Sequence, residues 1–311
     1  MGPAAAPDWR DALAQRVRGE LVRDAPLAPR TSIRIGGPAD LLVRPADPDD
    51  VVACLRAARE HGVAVHVLGG GANTLVADRG VRGVVLRLPL DLGGETADPP
   101  RLVLPAGMPT ARAVQRAHGA GLVGAEFLRG IPGTLGGALA MNAGTRAGEM
   151  RDVVTHVEVA TADGVRELPA GELGFAYRTC RLPDGAVVLR VGLRLRPGDV
   201  AAAARAMDAE WAQRARAQPL DLPSFGSTFR NPPGDFAGRL VEAAGLKGER
   251  IGGAEVSTRH ANFVVNVGGA SARDVLLLVR RMRDRVRETS GVTLETEVRL
   301  VGDFADDETL D

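Results

Sequence analysis

The sequence predicts an α+β protein of two or three units, and three observations carry that prediction. Capped helix signals alternate with short apolar strand runs along the 311 residues, and 45% apolar content is enough for a large core. The final third reads as loop, helix, strand, helix, strand, with no repeating strand-helix unit. The only GxGxxG-like stretch, Gly69 to Thr74, fails at its last position and so argues against a dinucleotide-binding Rossmann unit.

Taken in order, Trp9 to Val22 has the spacing of an amphipathic helix and leads into the proline-rich Asp24 to Pro29, so residues 1–30 are expected to form a leading helix and arm. Asp47 followed by Pro48, Asp49 and Asp50 supplies an N-cap, a first-turn proline and first-turn acids for a helix to Glu60. Strand signals at Ala64–Leu68 and Val84–Leu88 complete a unit over 31–90. A helix at Thr110–Ala120 and β-rich runs at Val153–Ala160 and Val187–Leu195 define a second unit over 91–198, closed by Pro197, Gly198 and Asp199. The alanine-rich helix Val200–Ala217 then connects into a third unit over 199–311. Its expected elements are a helix Phe236–Ala244, a strand Asn262–Val267, a helix Ala272–Thr289 and a strand Thr293–Leu300.

Composition excludes several functions. Lys plus Arg and Asp plus Glu both number 39, so no global field favours nucleic acid or membrane. Cys54 and Cys180 lack metal-ligand spacing and the five histidines show no paired motif, which leaves metal catalysis unsupported. The first residues lack a signal-peptide pattern and no run is long enough to span a membrane, so a cytoplasmic location is expected.

Two glycine-rich turns are the main candidates for ligand binding: Leu68, Gly69, Gly70, Gly71, Ala72, Asn73 and Thr74, and Gly130, Ile131, Pro132, Gly133, Thr134 and Gly137 running on to Asn142, Ala143 and Gly144. Glycine lets backbone amides approach a ligand, and successive N–H groups cradle phosphate. Phe225 to Pro232 packs Ser227, Thr228, Arg230 and Asn231 into one turn, which reads equally as a polar loop or as the seat of a proton donor. With neither a local histidine nor GxSxG, proton donation by Ser227 is preferred to hydrolysis. Tyr177, the only tyrosine, precedes Arg178, whose planar fork suits a carboxylate and suits a structural ion pair as well. Lys247, the only lysine, sits in a glycine-flanked turn upstream of His260. Alternation over Leu294–Leu300 puts Glu295, Glu297 and Arg299 on one face.

In this order, Leu68–Leu75, Gly130–Gly133, Met141–Gly144, Tyr177–Arg178, Gly226–Pro232 and Leu294–Arg299 resemble the UDP-N-acetylenolpyruvoylglucosamine reductase (MurB) family. The likeness runs over nearly the whole chain and matches the shorter type, which lacks an extra tyrosine-bearing loop. It implies a two-part FAD-binding domain of the vanillyl-alcohol-oxidase-like (PCMH-type) class followed by a smaller α+β substrate-binding domain. The resemblance also implies NADPH as cosubstrate and UDP-N-acetylglucosamine enolpyruvate as substrate, in a monomer that uses neither nucleic acid nor membrane. The glycine turns would hold FAD noncovalently, since neither contains His or Cys to tether it. Arg178 and Glu297 match the family's polarising pair, Ser227 its proton donor, and Tyr177, Asn231, Lys247 and His260 its substrate contacts. Where many relatives carry a lysine just before Gln218-Pro219, this chain has Ala217, and Arg214 or Arg216 is expected to substitute.

Overall fold

A computed structural model describes residues 8–305, which gather into two compact units. The first runs to Asp24 and resumes over Asp40–Gly69 and Gly83–Asp208; the second takes Ala25–Ala39, Gly70–Arg82 and the chain from Ala209. The start of the expected leading arm, residues 1–7, lies outside the described residues.

The first unit holds two sheets. In one, the strands Glu20–Pro26, Pro38–Arg44, Val81–Leu86 and Val65–Val67 lie in that order, the last two parallel. The helix Pro48–Glu60 begins as predicted, with Asp47 accepting from the Asp50 amide and Pro48 in the first turn. It buries Val51, Cys54, Leu55 and Ala57 against Leu41, Val43, Val84 and Leu86, each large side chain contributing about 1.5–3 kcal/mol. Burial, aided by the charge of Asp50, pushes the Cys54 thiol up to about 12, so it packs as an inert apolar group.

The other sheet is antiparallel, in the order Gly164–Pro169, Val154–Thr161, Val187–Arg194, Arg101–Pro105 and Thr96–Asp98. The helix Thr110–Gly119 contributes Ala113, Val114 and Ala117 to the same core as Leu104, Val157, Val191 and Leu193.

The second unit is built on an antiparallel sheet ordered Ser224–Ser227, Phe263–Asn266, Ala254–Val256 and Arg250–Ile251. The helix Ala272–Ser290 covers its core with Val275, Leu276, Leu278, Val279, Met282 and Val286. It starts at a capping box between Ser271 and Asp274 and stops at Gly291, whose φ of 72° is the left-handed conformation glycine tolerates best. A short parallel pair joins Thr74–Val76 to Arg299–Val301. The helix Val200–Ala217 forms as predicted although none of its side chains is buried, which fits its alanine content.

Two expectations need correction. The helix expected over Trp9–Val22 spans only Trp9–Ala14, and Glu20–Pro26 is a strand. The chain leaves the helix because the carboxylate of Asp50, 1% exposed, accepts hydrogen bonds from the amides of Arg18 and Gly19 and from that of Ala46. The expected strand Thr293–Leu300 is regular only over Arg299–Val301. Its earlier part is extended and meets residues 228–230 through isolated bonds, with Phe229 bridged to Thr296.

Burial raises the Asp50 carboxyl, but the hydrogen bonds from Ala46, Arg18 and Gly19 outweigh it and hold the group below its ordinary 3.8. Asp50→Ala would leave several buried donors unmet and should destabilise the protein by about 3 kcal/mol in urea unfolding, with Asp50→Asn intermediate. An unchanged midpoint in Asp50→Ala would show that the turn at Arg18 and Gly19 does not depend on this carboxylate.

Candidate active site

Within the first unit the start of one glycine turn lies against the other. A Cβ on Gly69 would fall 2.6 Å from the Thr134 hydroxyl, so this approach is open only to glycine. Thr134 in turn caps the helix Leu135–Ala140 by accepting from the Gly137 amide at 3.3 Å. Gly130, Ile131, Gly133 and Thr134 are half-buried and Pro132 is exposed, so their backbone remains at the unit's surface. Gly71, in the second unit, answers to packing: its φ is +61° and a Cβ there would meet the Arg30 carbonyl oxygen at 2.4 Å. Gly69 and Gly71 thus lack a Cβ because protein fills that space, and it is the surface backbone of Gly130, Ile131, Gly133 and Thr134 that fits a ligand such as FAD.

The asparagines that follow the two turns are engaged with protein. Asn142 is fully buried; its Nδ2 donates to Glu149 Oε2 and to the Ala176 carbonyl, both at 3.0 Å, and its Oδ1 accepts from the Arg151 amide. Asn73 Nδ2 donates to the Glu297 carbonyl at 3.0 Å. Ala176 and Thr179 exchange backbone hydrogen bonds, and the turn so closed holds Arg178 at a φ of +55°. Its guanidinium lies 5.1 Å from the centroid of the exposed Tyr177 ring. A non-glycine residue in the left-handed region marks a backbone held in place by its surroundings.

In the second unit Ser227 ends its strand after Gly226 and lies on the wall of a cavity of about 470 Å³, shared with Asn231, Arg239, Glu242, Arg259 and His260. Position separates it from its neighbour: the Thr228 hydroxyl is fully buried with no hydrogen-bond partner among the described residues, whereas Ser227 faces the cavity. Glu297 is held just beyond this strand, its amide donating to the Thr228 carbonyl at 2.8 Å. As the alternation predicts, Leu294 and Val298 are buried, Glu295 and Arg299 exposed and Glu297 half-buried.

The remaining candidates divide. Asn231 and His260 line the cavity; Lys247 is not among its lining residues and pairs with Glu242 at 2.7 Å. Arg259, to which the sequence assigns no separate role, also lines the cavity and donates to the Gln218 carbonyl at 2.9 Å and to Asp221. It brings a cation to the Gln218 step, next to Ala217. Asn262, in sequence only the start of an expected strand, has a buried amide that holds the Phe229 backbone on both sides. Among the described residues no group of three His, Cys, Asp or Glu side chains could hold a metal, and no helix is long and apolar enough to cross a membrane.

Comparison with known proteins gives this geometry a family. Residues 218–301 match the family model of the UDP-N-acetylenolpyruvoylglucosamine reductase C-terminal domain, and residues 39–168 match that of an FAD binding domain. UDP-N-acetylenolpyruvoylglucosamine reductase of Anaeromyxobacter sp. (strain Fw109-5) is 68% identical, across 97% of this chain and 95% of its own. The chain belongs to the UDP-N-acetylenolpyruvoylglucosamine reductase family. Its counterpart in Myxococcus xanthus is 56% identical, covering 95% of this chain and 98% of its own. The crystal structure of the family's enzyme from Thermus caldophilus superposes with a TM-score of 0.78 at 40% identity, covering 91% and 99% of the two chains. Both glycine turns fall inside the FAD-binding match, and Ser227, Asn231, Lys247, His260 and Glu297 fall inside the C-terminal one. The fold is the α+β arrangement the sequence predicts, and the cofactor that the family implies is FAD.

Burial pushes the His260 imidazole below its ordinary 6.5; Lys247 adds to this, while a backbone hydrogen bond and Glu242 oppose it. The Asn262 amide donates to its Nδ1 at 3.3 Å, which fits a neutral ring. The unfolded chain therefore takes up a proton near pH 6.5 while the folded chain does so only at lower pH, and stability falls as pH drops below 6.5. His66, lowered by burial as well, acts in the same direction. His260→Gln should flatten the loss of urea-unfolding stability between about pH 7.5 and about pH 5.5. A slope equal to that of the parent would remove His260 as one of its sources.

Proposed function

We propose that this chain reduces the enolpyruvyl double bond of UDP-N-acetylglucosamine enolpyruvate to give UDP-N-acetylmuramate, a peptidoglycan precursor, with NADPH as the source of electrons. The observation that carries this reading is a cavity-lining serine whose next residue, Thr228, is bonded to the Glu297 amide, in a chain 68% identical to a reductase of that name. FAD, held through the backbone of Leu68–Thr74 and Gly130–Gly144, supplies the hydride when bound. The protein's own side chains bind, polarise and protonate.

Adding hydride to an enol ether conjugated with a carboxylate places negative charge on the carbon beside that carboxylate. Arg178 offers a planar cation to the carboxylate, and Glu297 shares or holds a proton there so that it does not repel the substrate. Ser227 delivers a proton to the developing carbanion from the cavity wall. A serine hydroxyl is a weak acid, but the carbanion is a strong base. Asn231, Arg259, Lys247 and His260 contact the nucleotide sugar, with Lys247 and Arg259 best suited to the diphosphate. Tyr177 presents an exposed ring beside Arg178. We further place the enzyme in the cytoplasm as a monomer that needs neither nucleic acid nor membrane; its net charge of zero supports the absence of those two partners.

The anaerobic half-reactions test the proposal. The purified flavoprotein, reduced with NADPH, should regain oxidised-flavin absorbance when the enolpyruvyl nucleotide sugar is added. Flavin that stays reduced would overturn the assignment. Ser227→Ala should slow that reoxidation by about 10²–10⁴-fold while flavin reduction by NADPH stays near the parent rate. Equal slowing of both half-reactions would remove Ser227 from the proton-donor role.

A further inference from the structure

We propose that Asn142 and Asn73 are positioning residues for the reductive chemistry: each ties the chain beyond a glycine turn to a segment bearing one of the carboxylate-binding groups. The inference rests on the reading of Arg178 and Glu297 given above. In the first unit, both Asn142 Nδ2 donors are spent, one on Glu149 Oε2 and one on the Ala176 carbonyl, and Oδ1 is taken by the Arg151 amide. No donor of this side chain is left for a ligand.

What Asn142 holds is informative. Ala176 opens the four-residue turn closed on Thr179, and within it Arg178 adopts a φ of +55°. Such a conformation is unfavourable for a non-glycine residue and persists only where neighbours impose it. The Asn142 bond to the Ala176 carbonyl is one such constraint, made from a fully buried anchor whose own φ of +39° is a conformation asparagine adopts more readily than most residues. In the second unit the same device recurs. Asn73 Nδ2 donates to the Glu297 carbonyl, the Arg299 amide donates to the Asn73 carbonyl at 3.1 Å, and the parallel pair from Thr74 and Arg299 continues the ladder. Thus Arg178 and Glu297 are each supported by an asparagine that follows glycines of a flavin turn.

The test uses FAD-loaded protein and the two anaerobic half-reactions. Asn142→Gly keeps the backbone conformation accessible and deletes the amide. It should retain flavin through gel filtration, while the ratio of reoxidation rate to reduction rate falls at least about tenfold. Asn73→Ala should shift the ratio in the same direction. Double-mutant cycles separate positioning from general damage: added to Arg178→Ala, Asn142→Gly should cost less than about twofold more, and Asn73→Ala likewise on Glu297→Gln. Multiplying effects, an unchanged ratio, or flavin lost on the column would each overturn the proposal. If Asn142→Gly does not fold, Asn142→Asp, which keeps the acceptor and loses the donors, takes its place under the same criteria. Should Arg178→Ala and Glu297→Gln themselves leave reoxidation intact, the carboxylate-binding reading fails first and takes this inference with it.

Discussion

The backbone from Thr228 to Arg230 is held at almost every polar atom, and the candidate proton donor hangs from its edge. The Thr228 amide donates to the Asn262 carbonyl and the Arg230 amide to the Glu295 carbonyl. Phe229 gives its amide to Asn262 Oδ1 and its carbonyl to Asn262 Nδ2. The Thr228 carbonyl receives the Glu297 amide. Each such bond is worth about 0.5–1.5 kcal/mol net, and a buried group left unmet costs about 1–3 kcal/mol. Ser227 therefore cannot shift along its strand without breaking several bonds at once, and Glu297 moves with it. A proton donor placed this firmly suits chemistry in which a displacement of 1 Å costs about a hundredfold in rate.

The electrostatics of the second unit follow from that frame. Around the cavity the cations are already paired: Arg239 with Asp235, Arg259 with Asp221, and Lys247, just outside the lining, with Glu242. A chain of zero net charge thus concentrates cations at one place and steadies each with a carboxylate. An incoming diphosphate would meet them pre-oriented, at the cost of competing with the carboxylates that orient them. Arg259 also reaches the Gln218 carbonyl, so the step after Ala217 has a cation beside it.

Local chemistry was legible in the sequence and long-range pairing was not. Asp47 with Pro48 announced the first full-length helix because a cap acts within one turn. The end of the first helix was hidden because Asp50, more than thirty residues on, decides it by collecting the Arg18 and Gly19 amides. The segment Thr293–Val298 alternates like a strand and keeps the predicted faces, yet its partner at residues 228–230 is irregular, so the ladder never becomes regular. Asn73 and Asn142 stood out in sequence as side-chain amides beside glycine turns. Their partners at Glu297 and Ala176 lie 224 and 34 residues away, and sequence order alone holds no record of such contacts.

The recurrence of asparagine at positions 73, 142 and 262 has a common cause. Each position must satisfy a backbone carbonyl, which requires a donor, and at Asn142 and Asn262 the same side chain also accepts from a backbone amide. An ionised aspartate would meet the acceptor half and fail the donor half. It would also add negative charge beside the segments that carry Arg178 and Glu297, pairing with the cation and repelling the second carboxylate. Lysine would supply donors without an acceptor, and serine would bring a shorter arm with one donor. At Asn142 and Asn262 the neutral amide fixes the backbone in both senses without adding a charge to it.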